Sequence, residues 1–387
     1  MNVVIAALSA PEQLNGVSRH AANLARALLT APQVECVHFI AGDWQQQMFR
    51  AALPERNARL HMHWIRLRDA NLGRLLWYHH ELPQIATQLE AEIVHFTYPA
   101  PLPTHGYPCP VILSLHDLYP FDTPVNFGTL RSAAARHTMR QCIQRAESLA
   151  CVSTCTRTQL ERWFPDRASR AVVIPNVVEL RASPCAERPL EPLRGHSFLL
   201  SVAQHRRNKN VPLSIQAFSR ALQQRVLPCD ARFVIVGIPG PETSAIHACI
   251  REHRLEGRVL LYSGLTDPEL QWCYRNSLLL LAPSSIEGFG LPVAEAALAG
   301  SRIICSDIPA FHEVAAPGIH FVRQQSDMAA AYVRAMVASL ALPKPAPASL
   351  PHLSACFIGQ RFAELYRTLV CSRIAGFDML AQPESAR

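Results

Sequence analysis

Residues 284–295 read SSIEGFGLPVAE, and the segments on either side indicate what this stretch connects. Four leucines at 278–281 precede it, and a short apolar run bounded by turn residues is typical of a strand buried on both faces of a parallel sheet. Pro292 suits the first turn of a helix, and Gly300 suits the C-terminal cap of the same helix. Residues 301–306 then predict the next strand. We therefore expect a loop at the carboxyl end of a strand that leads into a helix N-terminus.

Two glycines and two acidic residues give this loop its predicted chemistry. Gly288 and Gly290 have no Cβ, so the backbone can approach a ligand closely, and the helix start offers unpaired N–H groups to a hydroxyl or an anion. Glu287 on the loop and Glu295 in the helix place two carboxylates, which accept hydrogen bonds from sugar hydroxyls, at different depths of one pocket. A plainer interpretation is a glycine-rich turn with a solvated Glu287 and with Glu295 on a polar helix face. The coincidence of strand, loop, helix and both acids favours the ligand site.

The stretch closely resembles the signature of retaining GT-B glycosyltransferases, in particular glycosyltransferase family four (group 1). That signature is Glu-Gly-Phe-Gly-Leu-Pro with a second glutamate in the spacing Glu-x7-Glu, and the two glutamates are here Glu287 and Glu295. The resemblance implies that Glu287 and the loop amides hold the donor hexose and that Glu295 holds the ribose of the nucleotide. It extends the donor-binding role to the residues that follow the first acid: Gly288, Phe289, Gly290 and Leu291.

Composition limits the broad class of the protein. A chain of 387 residues with 49% hydrophobic residues fits two globular domains. No apolar run is long enough to span a bilayer, and residues 1–10 predict a strand rather than a signal peptide, so we expect a cytoplasmic protein. Twelve cysteines without a Cys-x2-Cys pair favour reduced thiols over zinc sites or disulfides.

The formal net charge of +7 is compatible with a nucleic-acid partner, an anionic membrane surface or a phosphate-bearing substrate. No long Lys/Arg run and no basic–aromatic interleaving is present, so we expect no nucleic-acid partner. The basic and aromatic segment at 66–89 predicts either a surface helix whose aromatic residues pack inward or an acceptor-side or membrane-surface element. Its apolar face is short, which favours the first interpretation, and peripheral contact with the inner face of an anionic membrane stays open.

Strand and helix patterns form two successive series along the chain. Helices fit between the strands, and the helix at 267–275 is expected to have Asp267 as its N-cap. The fold class is therefore α/β, and it corresponds to GT-B, with two doubly wound, Rossmann-like domains facing a central cleft. The strands are predicted at 3–8, 34–41, 62–67, 93–98, 111–115 and 150–153 in the first series, and at 198–203, 233–237, 259–264 and 278–282 in the second.

Domain boundaries follow from a proline-punctuated polar stretch at 184–192, which is the candidate linker. We place the N-terminal, acceptor-side domain at residues 1–182 and the C-terminal, nucleotide-sugar-binding domain at 183–350. GT-B enzymes typically return their last helix to the first domain, so a helix at about 357–387 is expected to pack there.

The first predicted helix begins with a turn that extends the resemblance. Residues 15–19 read NGVSR and are similar to the family's Gly-Gly-Val-x-Arg turn, with Asn15 in place of the first glycine. The resemblance implies that backbone N–H groups near Gly16 point towards the donor diphosphate. Asn15 is compatible with this turn because asparagine also tolerates left-handed backbone conformations. A Gly-x-Gly-x-x-Gly string is missing, which argues against a nicotinamide-dependent oxidoreductase.

His116 follows a predicted buried strand and faces the edge where ligands bind in parallel sheets. Taken alone, it fits a satisfied core histidine equally well. Residues 113–117, however, resemble the family's strand-end His-Asp, which implies that His116 lies beside the reacting sugar. Asp117 is then an orienting or capping group rather than a base.

Residues 204–210 read QHRRNKN and follow the first strand of the second series. Cations at a strand end that opens a helix suit a diphosphate, although an exposed basic loop is the common alternative. Lys209 matches the family's lysine and is expected to bind the phosphates. Asn208 stands where the family's arginine often precedes that lysine, so Arg206 and Arg207 are both candidates for the missing guanidinium.

The implied reaction transfers a hexose, mannose or similar, from a nucleotide diphosphate sugar to a hydroxyl of a glycan or lipid-linked acceptor, with retention of configuration. Such a reaction belongs to polysaccharide or cell-envelope glycan synthesis. No Asp-x-Asp string is present, so we expect no metal and no cofactor besides the donor substrate. The alternatives are a non-catalytic GT-B partner of a membrane glycosylation complex, a nucleotide-sugar epimerase, and a pyridoxal phosphate-dependent phosphorylase, which the scarcity of lysines disfavours. The intact Glu287, Lys209 and His116 favour an active transferase.

Overall fold

The computed structural model of the chain describes residues 1–9, 15–67, 72–102, 106–122, 129–180 and 188–380. The chain divides into two compact units, one formed by Met1–Val177 with Pro351–Arg387 and the other by Val178–Leu350. Each unit is built on a parallel β-sheet. The candidate linker at 184–192 lies partly outside the described residues.

The first sheet is parallel throughout, and its central strands are buried on both faces. Its strands are β1 (Asn2–Ala6), β2 (Cys36–Gly42), β3 (Leu60–Ile65), β4 (Ile93–Phe96), β5 (Val111–Leu115), β6 (Ser148–Cys151) and β7 (Ala171–Val173). Their order is β3-β2-β1-β4-β5-β6-β7. Val3 and Ile5 pack in one core and Val4 in another, which explains why the run of apolar residues in β1 is continuous.

Helices connect these strands, as the alternating pattern predicts. Within the segment at 66–89, residues 72–88 form two short α-helices joined without a break by a π-helical turn, Trp77–Glu81. Residues 68–71 lie outside the described residues. The aromatic residues of the segment pack inward as predicted, because Trp77 and Tyr78 are 0% and 1% exposed. The helices of this part are α1 (Gly16–Leu28), α2 (Gln46–Ala52), α3 (Leu72–Leu76), α4 (Leu82–Gln88), α5 (Tyr119–Asp122), α6 (Thr129–Arg145) and α7 (Thr154–Trp163).

The second unit repeats the same plan. Its strands are β8 (Phe198–Val202), β9 (Arg232–Val236), β10 (Val259–Tyr262), β11 (Leu279–Ala282), β12 (Ile303–Ser306) and β13 (Ile319–Val322). They pair in parallel in the order β10-β9-β8-β11-β12-β13. Leu279, Leu280 and Leu281 are each 0% exposed, so the leucine run is the buried strand that the sequence predicts.

One helix of the second unit begins differently from the sequence prediction. The helices are α8 (Val211–Gln223), α9 (Thr243–Glu252), α10 (Asp267–Asn276), α11 (Leu291–Leu298), α12 (Pro309–His312) and α13 (Met328–Leu340). Asp267 is the first residue of α10 and not its N-cap, so that prediction is wrong. The N-cap is Thr266, which has an extended backbone and forms a capping box with Glu269.

The last helix, α14 (Ala355–Leu380), packs against α1 in the first unit. A Cβ on Gly359 would lie 2.0 Å from the carbonyl oxygen of Ala27, so the two backbones approach closely only because this residue is glycine. Phe362 and Tyr366 of α14 are almost fully buried in the core of the first unit.

A row of buried polar side chains runs beneath α14, and we call these residues the histidine network: Tyr366, His95, Ser114, His20 and Asn176. Tyr366 Oη lies 2.5 Å from His95 Nδ1, and His95 Nε2 lies 2.8 Å from Ser114 Oγ. Ser114 Oγ also lies 2.8 Å from His20 Nε2, and His20 Nδ1 lies 2.7 Å from Asn176 Oδ1. The network therefore joins α14, β4, β5 and α1 to the segment after β7.

Burial keeps both histidines of the network neutral. It lowers the pKa of His95 to about 3, with a smaller contribution from the nearby His116, and it holds the pKa of His20 well below the ordinary value. The unfolded chain binds a proton on each ring below the ordinary histidine pKa of about 6.5, whereas the folded chain does not. The stability that depends on these rings is therefore complete above about pH 6.5 and falls as the pH decreases towards the lowered folded-state values.

We predict that the first unit loses about 2 kcal/mol of unfolding free energy for each of the two histidines between about pH 7 and pH 5. In His95→Gln, which has no ring to protonate, about half of this pH-dependent loss should disappear. Urea unfolding followed by circular dichroism at the two pH values measures the difference. An equal loss in the wild type and in His95→Gln would contradict the prediction.

Candidate functional site

The second sheet places the two predicted ligand-binding loops beside each other. β8 and β11 are hydrogen-bonded neighbours, and the sheet grows from β8 towards β9 on one side and from β11 towards β12 on the other. Ligands of such sheets bind outside the carboxyl ends of the strands at the point where the strand order reverses. The loop at 203–210 follows β8 and the loop at 283–290 follows β11, so both loops begin at this point.

An ion pair connects the two loops. Lys209 Nζ donates to Glu287 Oε1 at 2.6 Å and to Oε2 at 2.7 Å, and Ser284 Oγ donates to Oε1 at 2.7 Å. Glu287 is only 7% exposed. Lys209 and Glu287, which the sequence assigned to phosphate and to sugar, therefore lie together beside one pocket of the second unit.

Backbone contacts hold the two loops in this register. The Ser285 N–H donates to the Asn208 carbonyl at 2.8 Å, and Asn208 Nδ2 donates to the Ile286 carbonyl at 3.2 Å. Asn208 is 3% exposed and lies in the 3₁₀ turn Arg207–Lys209. The residue that stands in the place of the family's arginine is thus a brace between the loops rather than a second cation.

The two candidate arginines lie at the start of the same turn. Arg206 is its N-cap residue and is half-buried, whereas Arg207 is exposed. Within the described parts of the chain, neither guanidinium forms a hydrogen bond or an ion pair. The structure therefore leaves both arginines as candidates for binding a phosphate.

The glycine-rich loop requires glycine at its last position. Gly290 has φ +103° and is the N-cap of α11, and a Cβ there would lie 2.8 Å from Phe311 Cδ1. Both the conformation and the space exclude a larger residue. Phe289 is buried and Leu291 begins the helix, so these two residues of the predicted donor loop shape the turn.

Glu295 lies on α11, one turn into the helix. Its Oε2 accepts a hydrogen bond of 2.8 Å from the hydroxyl of Tyr274, which lies on α10 and is 1% exposed. The side chain of Glu295 is thereby oriented by a residue that the sequence analysis did not identify, since no pattern connects the two positions.

His205, which precedes the basic turn, is held by a hydrogen bond to the segment after β9. Its Nδ1 lies 2.9 Å from Thr243 Oγ1, and the same oxygen accepts a hydrogen bond of 2.9 Å from the Gly240 N–H. A Cβ on Gly240 would lie 2.6 Å from the His205 carbonyl oxygen, and one on Gly237 would lie 1.8 Å from that of Ala203. The loop after β9 therefore packs directly against the loop after β8.

In the first unit, His116 follows β5 as predicted and is half-buried. Its Nε2 lies 2.9 Å from the Thr97 carbonyl oxygen, and its ring meets that of His20 edge to face, with ring centroids 4.6 Å apart. Burial lowers the pKa of His116, and the bond to Thr97 opposes this shift. Asp117 accepts a hydrogen bond of 3.0 Å from the Tyr119 N–H at the start of α5, which is the capping role that we expected.

Gly16 is the first residue of α1, and its missing Cβ faces open space. Asn15 is the N-cap, and its Oδ1 accepts a hydrogen bond of 2.9 Å from the Ser18 N–H. Its φ of −117° is extended. The expectation that Asn15 replaces a glycine through a left-handed conformation is therefore wrong, because its side chain caps the helix instead.

Neither a metal-ligand cluster nor a membrane-spanning helix is found among the described residues. No group of three or more His, Cys, Asp or Glu residues in these parts of the chain is arranged to hold a metal ion. In the same parts, no helix combines the length and the apolar character needed to cross a membrane.

Family comparisons agree with this geometry. The model for glycosyltransferase family 4 matches residues 14–182, and the model for glycosyl transferases group 1 matches residues 188–344. Two doubly wound, parallel α/β units with these matches define a GT-B glycosyltransferase fold. The chain belongs to the family 4, group 1 glycosyltransferases.

The curated relatives are remote. The chain is 22% identical over 215 residues to the O-antigen chain mannosyltransferase RfbU of Salmonella typhimurium, which is 56% of this chain and 57% of the relative. It is also 22% identical over 213 residues to the O-antigen chain mannosyltransferase B of Escherichia coli, which is 52% of this chain and 54% of the relative. The matches thus span little more than half of the length of either relative.

Solved structures share the fold over nearly the whole chain. WaaG, a glycosyltransferase involved in lipopolysaccharide biosynthesis, is 16% identical with a TM-score of 0.63, and the match covers 96% of this chain and 98% of WaaG. HepE of Anabaena, solved in complex with UDP-glucose, is 14% identical with a TM-score of 0.65, and the match covers 97% and 100% of the two chains. At such low identities the similarity shows the fold alone.

We predict that Lys209→Met destabilises the second unit by about 2–3 kcal/mol, because it leaves the Glu287 carboxylate without its cation. Lys209 is partly exposed, so we expect a loss at the lower end of the range for buried pairs. Glu287→Gln in the same chain should recover part of this loss. A double-mutant cycle measured by urea unfolding gives the coupling. Additive effects of the two substitutions would show that the pair does not stabilise the loops.

Proposed function

We propose that the chain is a retaining hexosyltransferase that uses a nucleotide diphosphate sugar and glycosylates a hydroxyl of a glycan or lipid-linked acceptor. Family membership supports the reaction class, and the two O-antigen mannosyltransferases among its relatives favour mannose and a cell-envelope polysaccharide. The observation that carries the proposal is the Lys209–Glu287 pair at the carboxyl ends of β8 and β11. Cytoplasmic location and contact with an anionic membrane stay predictions.

Lys209 is assigned to the leaving group. In the transition state of such a transfer, positive charge develops on the sugar ring and negative charge on the departing phosphate. Lys209 Nζ donates to both oxygens of Glu287, and because an ammonium has three N–H donors, at least one stays available for a phosphate oxygen. Arg206 or Arg207 supplies the guanidinium. The family signature also suggests a phosphate-binding role for the backbone N–H groups near Gly16 of the first unit.

Glu287 and Glu295 are assigned to the sugar and to the ribose. The Glu287 carboxylate is fixed by Lys209 and Ser284, so it presents its remaining lone pairs to a sugar hydroxyl in a defined direction. The amides of Gly288, Phe289 and Gly290 lie on the same loop. Glu295 is held by Tyr274 in a similar way on α11.

His116 is assigned to the transferred sugar, and its tautomer follows from its partner. A carbonyl oxygen only accepts hydrogen bonds, so the ring donates to Thr97 through Nε2–H. In the neutral imidazole Nδ1 then carries the lone pair. Nδ1 can therefore accept a hydrogen bond from a sugar hydroxyl but cannot donate one.

We expect transfer to proceed without a divalent metal and without a further cofactor, because Lys209 with Arg206 or Arg207 can stabilise the leaving phosphate. Initial rates in excess EDTA should stay within about twofold of untreated enzyme, since the lysine and arginine charges do not depend on metal. Added Mg²⁺ or Mn²⁺ serves as the control. A complete loss of turnover in EDTA that Mg²⁺ restores would overturn this part of the proposal.

Glu287→Gln should lower the transfer rate by about a hundredfold or more, because a preorganised carboxylate becomes a neutral amide. Glu256→Gln, an exposed acid of the same unit, is the matched control and should leave the rate unchanged. The assay follows release of the nucleoside diphosphate from GDP-, UDP-, ADP- and TDP-sugars.

Thermal stabilisation by the same donors separates binding from turnover. One nucleotide should raise the unfolding temperature of the wild type and not of Glu295→Ala. Stabilisation without turnover with any acceptor would instead favour a non-catalytic, donor-binding partner. Unchanged turnover in Glu287→Gln would refute the site assignment.

A further inference from the structure

The hydrogen bonds of the histidine network have only one consistent direction when both rings are neutral. Asn176 Oδ1 accepts, so His20 donates through Nδ1–H and its Nε2 must accept from the Ser114 hydroxyl. Ser114 Oγ then accepts from His95 Nε2–H, which leaves His95 Nδ1 to accept from the Tyr366 hydroxyl. Each proton is used once, and the network runs from Tyr366 on α14 to Asn176.

In the histidine network the direction of one hydrogen bond fixes the direction of the next, because each neutral imidazole has one donor and one acceptor. Removing the Tyr366 hydroxyl leaves His95 Nδ1 without its donor in a fully buried position, and the other tautomer of His95 becomes available. If His95 changes tautomer, Ser114 must donate to His95 instead of accepting from it. His20 must then donate to Ser114 instead of accepting from it. The ring of His20 is thus fixed directly by Ser114 of β5 and Asn176 after β7, and indirectly by His95 of β4 and Tyr366 of α14.

His116 contacts this network directly. Its ring packs edge to face against His20, with ring centroids 4.6 Å apart and an interplanar angle of 87°. His20 contacts both Ser114, near the end of β5, and His116, which follows that strand. The bond to Thr97 fixes one edge of the His116 ring, and the ring of His20 limits its rotation about that bond.

We propose that the histidine network positions His116: Tyr366 of α14 and Ser114 of β5 fix the ring of His20, and the ring of His20 keeps that of His116 in the orientation in which Nε2–H donates to the Thr97 carbonyl. The inference rests on the proposed function, in which His116 Nδ1 accepts a hydrogen bond from the transferred sugar. It assigns a role in transfer to residues that touch no substrate. It also makes α14 necessary for the geometry of His116.

Tyr366→Phe and Ser114→Ala test the proposal in the full-length chain. Each should lower kcat for transfer by about tenfold or more and leave the donor KM within about twofold, because the substitution disturbs a reacting geometry and not donor affinity. Tyr332→Phe is the matched control: it removes a buried tyrosine hydroxyl that lies 3.0 Å from Ser306 Oγ in the second unit, and it should leave kcat unchanged.

Histidine ¹⁵N NMR supplies a readout that does not depend on activity. The chain has 17 histidines, so the signal of His116 is assigned by its loss in His116→Gln. The wild type should show His116 as the single Nε2–H tautomer that the Thr97 carbonyl selects. Tyr366→Phe and Ser114→Ala should show a mixture, because a ring that turns away from Thr97 loses this selection. Spectra also verify that each variant is folded, so a variant that fails to fold is replaced by the other.

The outcomes separate the two proposals. If His116→Gln loses transfer while both network variants keep kcat and the wild-type His116 tautomer, the positioning role is overturned and the proposed function stands. If His116→Gln keeps full transfer, the assigned role of His116 in the reaction is wrong. In that case the positioning of its ring is still decided by the NMR comparison.

Discussion

The carboxylate of Glu287 sets the constraint on which the loops of the second unit depend. It is 7% exposed, and a carboxylate removed from water is costly unless it is paired and hydrogen bonded. Lys209 and Ser284 meet this requirement. Asn208 ties the turn after β8 to the loop after β11, which holds Lys209 beside the carboxylate. Neither loop can therefore move by itself without leaving a charge unpaired.

The first unit holds the buried polar side chains of the histidine network in place by hydrogen bonds between neutral groups and not by an ion pair. His95 and His20 are buried without a carboxylate partner in the network, so burial keeps them uncharged and their hydrogen bonds fix them instead. Neutral groups avoid the desolvation that a buried ion pair requires. They also depend on pH in a different way, since protonation of either ring would break the row. The two units thus have the same strand order near their centres. An ion pair holds the loops of the second unit, whereas hydrogen bonds between neutral groups hold the histidine network of the first.

Much of the fold could be predicted from the sequence because its central strands are short apolar runs buried on both faces. The strongest case is Leu279–Ala282, where the pattern gave the strand and its neighbouring loop. Helix starts were less predictable: Thr266 rather than Asp267 caps α10, because two adjacent residues both suit the position chemically and only the backbone conformation distinguishes them. Asn15 likewise caps a helix where the family signature has glycine.

The groups that orient the site residues could not be predicted, since they are distant in sequence. His95 and Tyr366 are separated by 271 residues and His20 and Ser114 by 94, and no periodicity connects positions so far apart. The same holds for Tyr274 and Glu295, which meet through different helices. Motifs identify residues that contact a ligand, whereas the residues behind them become visible only when the sheet is assembled.

The ion pair also bears on how a diphosphate would be held. Glu287 neutralises the charge of Lys209, so the pair by itself offers an N–H donor of the ammonium but little net positive potential. A diphosphate carries more negative charge than one shared ammonium can balance. Under the proposed function, the net charge must come from Arg206 or Arg207, which have no carboxylate partner among the residues that the structure describes. The arginines would then set the affinity for the donor, and Lys209 would set the position of the phosphate relative to the sugar held by Glu287.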